Sequence, residues 1–261
     1  HRSLILVGGI TIFWLIENAF PLFKFTYKKW HHAGINFFLT FTTIIINFSL
    51  AFILLKTSDW SIANNFGVLQ WLPPMSLFLY ALVGLLLLDL IGAYLVHLIE
   101  HKVKFLWRFH LIHHTDTWID TTSANRHHPG ESVIRFVFTT FGVLFVGCPM
   151  WLVFLYQTLS VVSTQFTHAN ILLPKKLDLF MSYFIVSPNM HKVHHHFTLP
   201  YTDSNYGNIF SVWDRIFGTY KALSTDKIIF GIDTYREVHE HNSIASLLKI
   251  PFGKYRNSTI K

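Results

Sequence analysis

Histidine is the residue type here that could do chemistry. Four of the six residues in HKVHHH (191–196) are histidine, HLIHH occupies 110–114, and HLIEH occupies 97–101. Imidazole suits zinc, copper, iron and nickel. On an α-helix, positions i, i+3 and i+4 share a face. With His110 as origin, His113 lies at roughly −60° and His114 at roughly +40° on the 3.6-residue period. The three rings form a fan whose adjacent pair splays to either side. His191, His194 and His195 repeat that fan, and His97 and His101 stand one turn apart. His128 in RHHPGE and His168 in FTHAN enlarge the set to ten. One structural zinc takes about four ligands, so ten rings suit two ions side by side, with His113/His114 and His194/His195 each able to serve both.

Neutral imidazoles leave the charge of such ions uncancelled, so carboxylates are expected behind them, bonded to the second ring nitrogens. Asp89, eight residues before His97, and Glu131, just after His128, are the candidates. An ionisable residue inside a span is itself a functional signal. A solitary histidine is ordinarily a satisfied polar residue, and that reading goes to His1, His31, His32, His239 and His241. His196, about 140° from His191 on a helix, falls outside the fan and is expected to bind no ion.

The elements that must position these rings are apolar helices. The chain is 51% hydrophobic and only 13% charged, against about 25% charged in an ordinary soluble domain. Residues 35–55 carry no charge, 4–23 only Glu17, and 75–96 only Asp89. Each run approaches the roughly 20 residues that cross a bilayer as a helix. The first is too long for a signal peptide and lacks a small-residue cleavage site. Between His128 and His168, the run 134–163 would make a helix of about 45 Å, longer than a hydrocarbon core of roughly 30 Å. It would leave His168 on the wrong side. A re-entrant hairpin of two short helices is therefore expected, broken at VGCP by Gly147 and Pro149; a helix along the membrane surface is the alternative.

Lys24, Lys28 and Lys29 follow the first run, only Lys56 follows the second, and the basic HKVKFLWR follows the third. The positive-inside rule then puts 24–34 and 97–131 in the cytoplasm. The expectation is an all-α integral membrane protein. Residues 1–96 form about three transmembrane helices, and 97–222 a histidine-rich di-metal region that includes the hairpin. Residues 223–261 form a cytoplasmic tail, and the histidine-bearing helices make a cytoplasmic cap. The net charge of +7 suits anionic headgroups better than nucleic acid, for which no basic-aromatic module appears. Cys148 is the single cysteine, so neither an internal disulfide nor a cysteine metal site is available.

HLIEH, FHLIHH, NRHHPGE, FTHAN and MHKVHHH, in this order and followed by NYGNIFSVWDRIFGTY, resemble the fatty acid hydroxylase/sterol desaturase superfamily over roughly 80–220. The resemblance implies an integral-membrane non-haem di-iron oxygenase. Such an enzyme uses O2 and two electrons to hydroxylate or desaturate a C–H bond of a lipid such as a fatty acyl chain or sterol. Its ligand pattern falls on His97, His101, His110, His113, His114, His128, His168, His191, His194 and His195. RHHP departs from the pattern by an extra histidine, making His128 the match and His127 the surplus. Zinc could replace the two irons in a preparation. No haem motif, Rossmann fingerprint or ferredoxin cysteines appear, so electrons must come from a separate protein of cytochrome b5 or ferredoxin type. The location would be the inner membrane in a bacterium or the endoplasmic reticulum in a eukaryote. An ether-lipid monooxygenase of the same superfamily is a further reading. A metal transporter or sensor is another, and it predicts histidines along a path within the spans.

Overall fold

The structure, a computed structural model, describes residues 2–258, so His1 lies outside it. The described residues form helices and turns without a strand; only isolated bridges occur, such as Ile185 with Phe210 and His196 with Phe230. Helix α1 (Arg2–Ala19) precedes the long α2 (Lys29–Ala63), whose 35 residues include no proline. Phe41, Phe48 and Phe52 stay exposed along its outer side, as a lipid-facing surface requires. The chain turns at Asn65 (φ 50°) and Gly67 (φ 111°) into the single turn α3 (Val68–Trp71). After two prolines, Ser76 caps α4 (Leu77–Asp89) by accepting from the Leu79 N–H.

The helix then widens to π geometry at Leu90–Leu95 before resuming as α5 (Val96–Lys102), and α6 (Lys104–His114) follows the extended residue Val103. Single π turns inside helices are frequent at functional sites, and this one ends two residues before His97.

Among the described residues, three helical stretches are long and apolar enough to span a membrane: Lys29–Trp71, Leu77–Lys102 and Pro129–Val146. Leu4–Ala19 is a shorter apolar helix, ending ahead of Pro21 and so falling short of the run read over 4–23. The architecture is all-α and integral to the membrane.

Helices α7 (Pro129–Val146) and α8 (Met150–His168) form the hairpin. The break lies at 147–149 as read, but the arms are longer than 134–163. They have 18 and 19 residues, about 27 and 28 Å. Gly147 takes φ 67°, and a Cβ there would stand 2.2 Å from the Phe66 carbonyl oxygen, so the turn requires glycine. Since α7 is itself long enough to cross, the turn lies at the far end of a span beside the end of α2, where the expectation was two short helices dipping in and returning. Ser58 Oγ donates to the Cys148 carbonyl at 2.8 Å, and Gln70 Nε2 donates to the Gly147 carbonyl at 2.7 Å. Cys148 itself is buried with Leu54, Leu88, Val143 and Leu152.

Three short helices complete the histidine end: α9 (Lys175–Met181), α10 (Pro188–His194) and α11 (Val212–Ile216). Pro188 begins α10, where its missing N–H costs nothing, and Ser187 Oγ accepts from the Met190 N–H. The C-terminal segment folds back: Ile232, Tyr235, Leu247 and Ile250 pack on Ile35 and Leu39 of α2 and Leu111 and Ile112 of α6.

Candidate metal centre

Nine histidines converge as two groups whose ligand atoms lie within 4.8 Å of one another in each. The first group is His97, His101, His110, His114 and His194; the second is His113, His168, His191 and His195. Helical geometry explains the division. On α6 the i and i+4 rings, His110 and His114, enter the first group while i+3, His113, enters the second. On α10 and its cap residue the assignment is reversed: His191 and His195 enter the second group and His194 the first. Each adjacent pair is thus shared between the groups, one ring to each.

The nitrogens are spaced as ligands of an ion are. His168 Nε2 lies 3.0 Å from both His113 Nε2 and His191 Nε2 and 3.3 Å from His195 Nε2, and the last two are 3.2 Å apart. In the first group His110 Nε2 lies 3.1 Å from His97 Nε2 and 3.2 Å from His114 Nε2. Tetrahedral ligands at about 2.0–2.1 Å from a metal sit roughly 3.3 Å apart. Hydrogen bonding among the rings cannot satisfy such a mutually close set, because a neutral imidazole has one donor and one acceptor. The Nε2 atoms of His101 and His194 are buried with no partner among the described residues. An ion in each group would satisfy them, so the residues fit two metals.

The other ring nitrogens are held from behind. Tyr206 O accepts from His97 Nδ1 at 2.9 Å, Ser204 O from His194 Nδ1 at 2.7 Å, and Thr164 O from His168 Nδ1 at 2.7 Å. Glu131 Oε1 lies 2.8 Å from His110 Nδ1 and 2.9 Å from Arg135 Nε. Arg135 Nη2 donates to Glu100 Oε2 at 2.6 Å. Asp203 Oδ1 lies 3.2 Å from His101 Nδ1, and its Oδ2 accepts from Lys102 Nζ at 2.6 Å. These contacts protonate Nδ1 and leave Nε2 its lone pair. Burial, and then the proximity of neighbouring rings, holds His110, His113, His114, His191 and His195 well below the ordinary imidazole range. They are neutral at pH 7, which is the ligand form. Burial alone would raise Asp203, but the hydrogen bond and charge of His101, followed by Lys102, bring it down to about 2.

Two placements differ from the sequence expectation. His128 does not join either group. It caps α7 by accepting from the Gly130 N–H at 2.9 Å, its Nε2 lies 3.3 Å from the Leu248 carbonyl, and its ring packs on Phe109. The neighbouring His127 turns inward instead, stacked on His113 at 4.8 Å with Nδ1 2.8 Å from Glu131 Oε1. Proline at the next position puts His128 in extended backbone as the cap, so His127 is the ring directed at the site.

Asp89 touches no histidine. It accepts from the Ile209 and Phe210 N–H groups at 3.2 Å each, and eight residues of helix set it roughly 12 Å along the axis from His97. It anchors the loop that supplies Ser204 O and Tyr206 O. Glu100, Arg135 and Asp203 were not singled out from the sequence. An acid between the two histidines of HLIEH, at the end of a span, was the available signal for Glu100.

His196 joins neither group; its Nδ1 accepts from the Ile229 N–H at 3.0 Å. His32 is a satisfied core residue, 2.9 Å from Asp116 and 3.3 Å from Asp120.

The sequence model of a family described as Fatty acid hydroxylase matches residues 81–219, which contain every histidine of both groups. The chain is 27% identical over 173 residues to ornithine lipid hydroxylase OlsE of Rhizobium tropici, covering 64% of this chain and 50% of that protein. It is 28% identical over 142 residues to alkylglycerol monooxygenase of Homo sapiens, covering 54% of this chain and 30% of that protein. With cholesterol 25-hydroxylase-like protein 1, member 2, of Danio rerio it shares 26% identity over 170 residues, 60% of each chain. The chain therefore spans half or less of the length of the first two relatives. No solved structure matches it.

Proposed function

The chain belongs to the fatty acid hydroxylase family, and on that premise we propose that it is a membrane-bound di-iron oxygenase that hydroxylates or desaturates a C–H bond of a membrane lipid. The observation that carries this reading is the exchange of rings between α6 and α10, which makes two adjacent nitrogen-rich sites from nine histidines. Iron bound there supplies the O2-dependent oxidising power that no side chain possesses. Among the ten residues that the sequence pattern marks, His97, His101, His110, His114 and His194 would hold one ion and His113, His168, His191 and His195 the other. His128 would only cap its helix.

The surrounding residues hold and orient. Glu131 keeps the His110 ring turned with its Nδ1 proton outward, and Arg135 donates to both the buried Glu100 and Glu131 carboxylates. Tyr206 and Ser204 do the same for His97 and His194 through backbone carbonyls. The basic flanks put this end of the bundle in the cytoplasm, in the inner membrane of a bacterium or the endoplasmic reticulum of a eukaryote. Electrons come from a separate protein of cytochrome b5 or ferredoxin type. The alkylglycerol monooxygenase relatives favour an ether lipid as the second reading.

The test joins metal content to product. Protein purified after iron loading should hold close to two irons, with zinc competing for the same rings. Lipids from cells with the protein should contain a species one oxygen heavier, or two hydrogens lighter, than those from cells without it. One ion per chain, or two ions with no oxidised lipid in any fraction, would end this reading.

A further inference from the structure

Two cavities adjoin, one reaching the histidines and one opening on the lipid-facing side of α2, and their linings differ. A cavity of about 190 Å³ reaches both histidine groups, touching His97, His113, His168 and His191. Its remaining wall is mixed, with Thr43, Ser132, Thr139 and Asn208 beside Ala93, Phe136 and Val161. A second cavity, of about 390 Å³, is apolar, lined by Phe48, Phe52, Leu55, Met150 and Phe154. Asn47, Phe136 and Gln157 line both, so the two adjoin at these side chains. The apolar groove is the end away from the metals. Along α8, Phe154 and Met150 are about 21 and 27 Å of helix from His168, and Gln157 about 16 Å.

Most hydroxyls of the inner chamber already have partners: Thr43 and Ser132 bond each other at 2.8 Å, and Thr139 donates to the Arg135 carbonyl at 2.8 Å. The amides of Asn47 and Gln157, at the junction, have none among the described residues, and each belongs to an apolar helix where an unpaired amide is costly. Arg135, the one Lys or Arg among the described residues of the chamber wall, is already paired with Glu100 and Glu131. The side chains of the chamber leave no free negative charge to pair a cationic headgroup, two ions on the neutral histidines would repel one, and burying it unpaired would be strongly unfavourable.

Resting on the lipid-oxygenase reading above, we propose that the substrate is a single-chain or chain-separable amphiphile with a polar end that carries no positive charge. It binds polar end first: hydroxyl, ether, ester or amide groups fill the chamber beside the histidines and bond Asn47 and Gln157, while the alkyl tail lies in the groove between α2 and α8. Oxidation then falls on the polar end or on the first few carbons, not on the chain terminus.

Photo-crosslinking tests the orientation without needing turnover. A long-chain monoalkylglycerol carries a diazirine either next to its ether or at its terminal carbon. Each is bound to metal-free and to zinc-loaded protein in detergent, and the labelled peptides are mapped. The head-proximal probe should label 132–139 and 160–168, and the terminal probe 48–55 and 150–154. An alkyltrimethylammonium of the same chain length should compete about tenfold or more weakly than unlabelled alkylglycerol. Asn47→Leu combined with Gln157→Leu should weaken saturable labelling about fivefold or more while keeping the helical content and two bound zinc ions. A reversed map, labelling that follows detergent exposure at positions such as Phe41 and Phe141, equal competition by the cation, or undiminished labelling of the double variant would each overturn the proposal. Labelling reads binding alone, so a reversed map leaves the iron count and the oxidised product of the preceding test to stand or fall separately.

Discussion

The two histidine groups are built from the same residue type on the same helices, yet they are braced differently. In the first, four of five rings are held from behind by a hydrogen bond at Nδ1, two by backbone carbonyls and two by carboxylates. In the second, only His168 is so held, while Nδ1 of His113, His191 and His195 has no partner among the described residues. Their orientation comes from packing, as in the stack of His113 on His127. A hydrogen bond fixes both tautomer and ring direction, whereas packing fixes direction alone. The first group is therefore set before an ion arrives and has a ring to spare. The second has four rings and no spare.

Removing ligands should expose that asymmetry most strongly. His191→Ala with His195→Ala leaves two rings in the second group and should bring metal content from about two ions to about one. His97→Ala with His101→Ala leaves three in the first group and should retain part of its ion, measurable by elemental analysis after dialysis. Equal losses from the two pairs would break the comparison.

Glu131→Gln comes next. It weakens the brace on His110 and upsets the balance with Arg135, and loss of such a partner typically costs 10–100-fold in metal affinity. Chelator titration should show the loss at the first group. Asp89→Asn, whose carboxylate reaches backbone N–H groups and the Trp213 side chain but no histidine, should cost less.

A control lies outside both groups. Asp120 accepts from Thr122 N–H at 2.8 Å and from Tyr27 OH at 2.6 Å and lies 3.3 Å from His32 Nδ1. Burial alone would raise its pKa, but the hydrogen bond and charge of His32, with Thr122 and Tyr27, hold it below the ordinary carboxylate value. The folded state then binds fewer protons than the unfolded chain in the acid range. This stabilisation is fully present above the ordinary carboxylate pKa and is lost as pH falls through the lower folded value. Asp120→Asn should cost about 3 kcal/mol at neutral pH, flatten the acid limb of the unfolding profile, and leave both ions in place. The smallest effect belongs to His128→Ala, about 1 kcal/mol for a lost helix cap with metal content unchanged. Loss of an ion in that variant would return His128 to the ligand set.

Much of this was legible in the sequence because helical periodicity is local. HLIHH and HKVHH form fans wherever the chain is helical, the apolar runs read as α2 and α4, and Gly147 with Pro149 marks the hairpin turn. The division of those fans into a five-ring and a four-ring group required tertiary structure, since it depends on how α6 and α10 face each other. The choice between His127 and His128 was decided by the cap of α7, which takes one ring out of reach of the site. Asp89 lies eight residues before His97, too far along the helix to reach its ring, and Glu100 meets Arg135 and lies 3.7 Å from His110 only because α5, α6 and α7 pack together. Periodicity is set by neighbours three and four residues apart. Which rings share an ion is set by contacts between helices distant in sequence, and those exist only once the chain is packed.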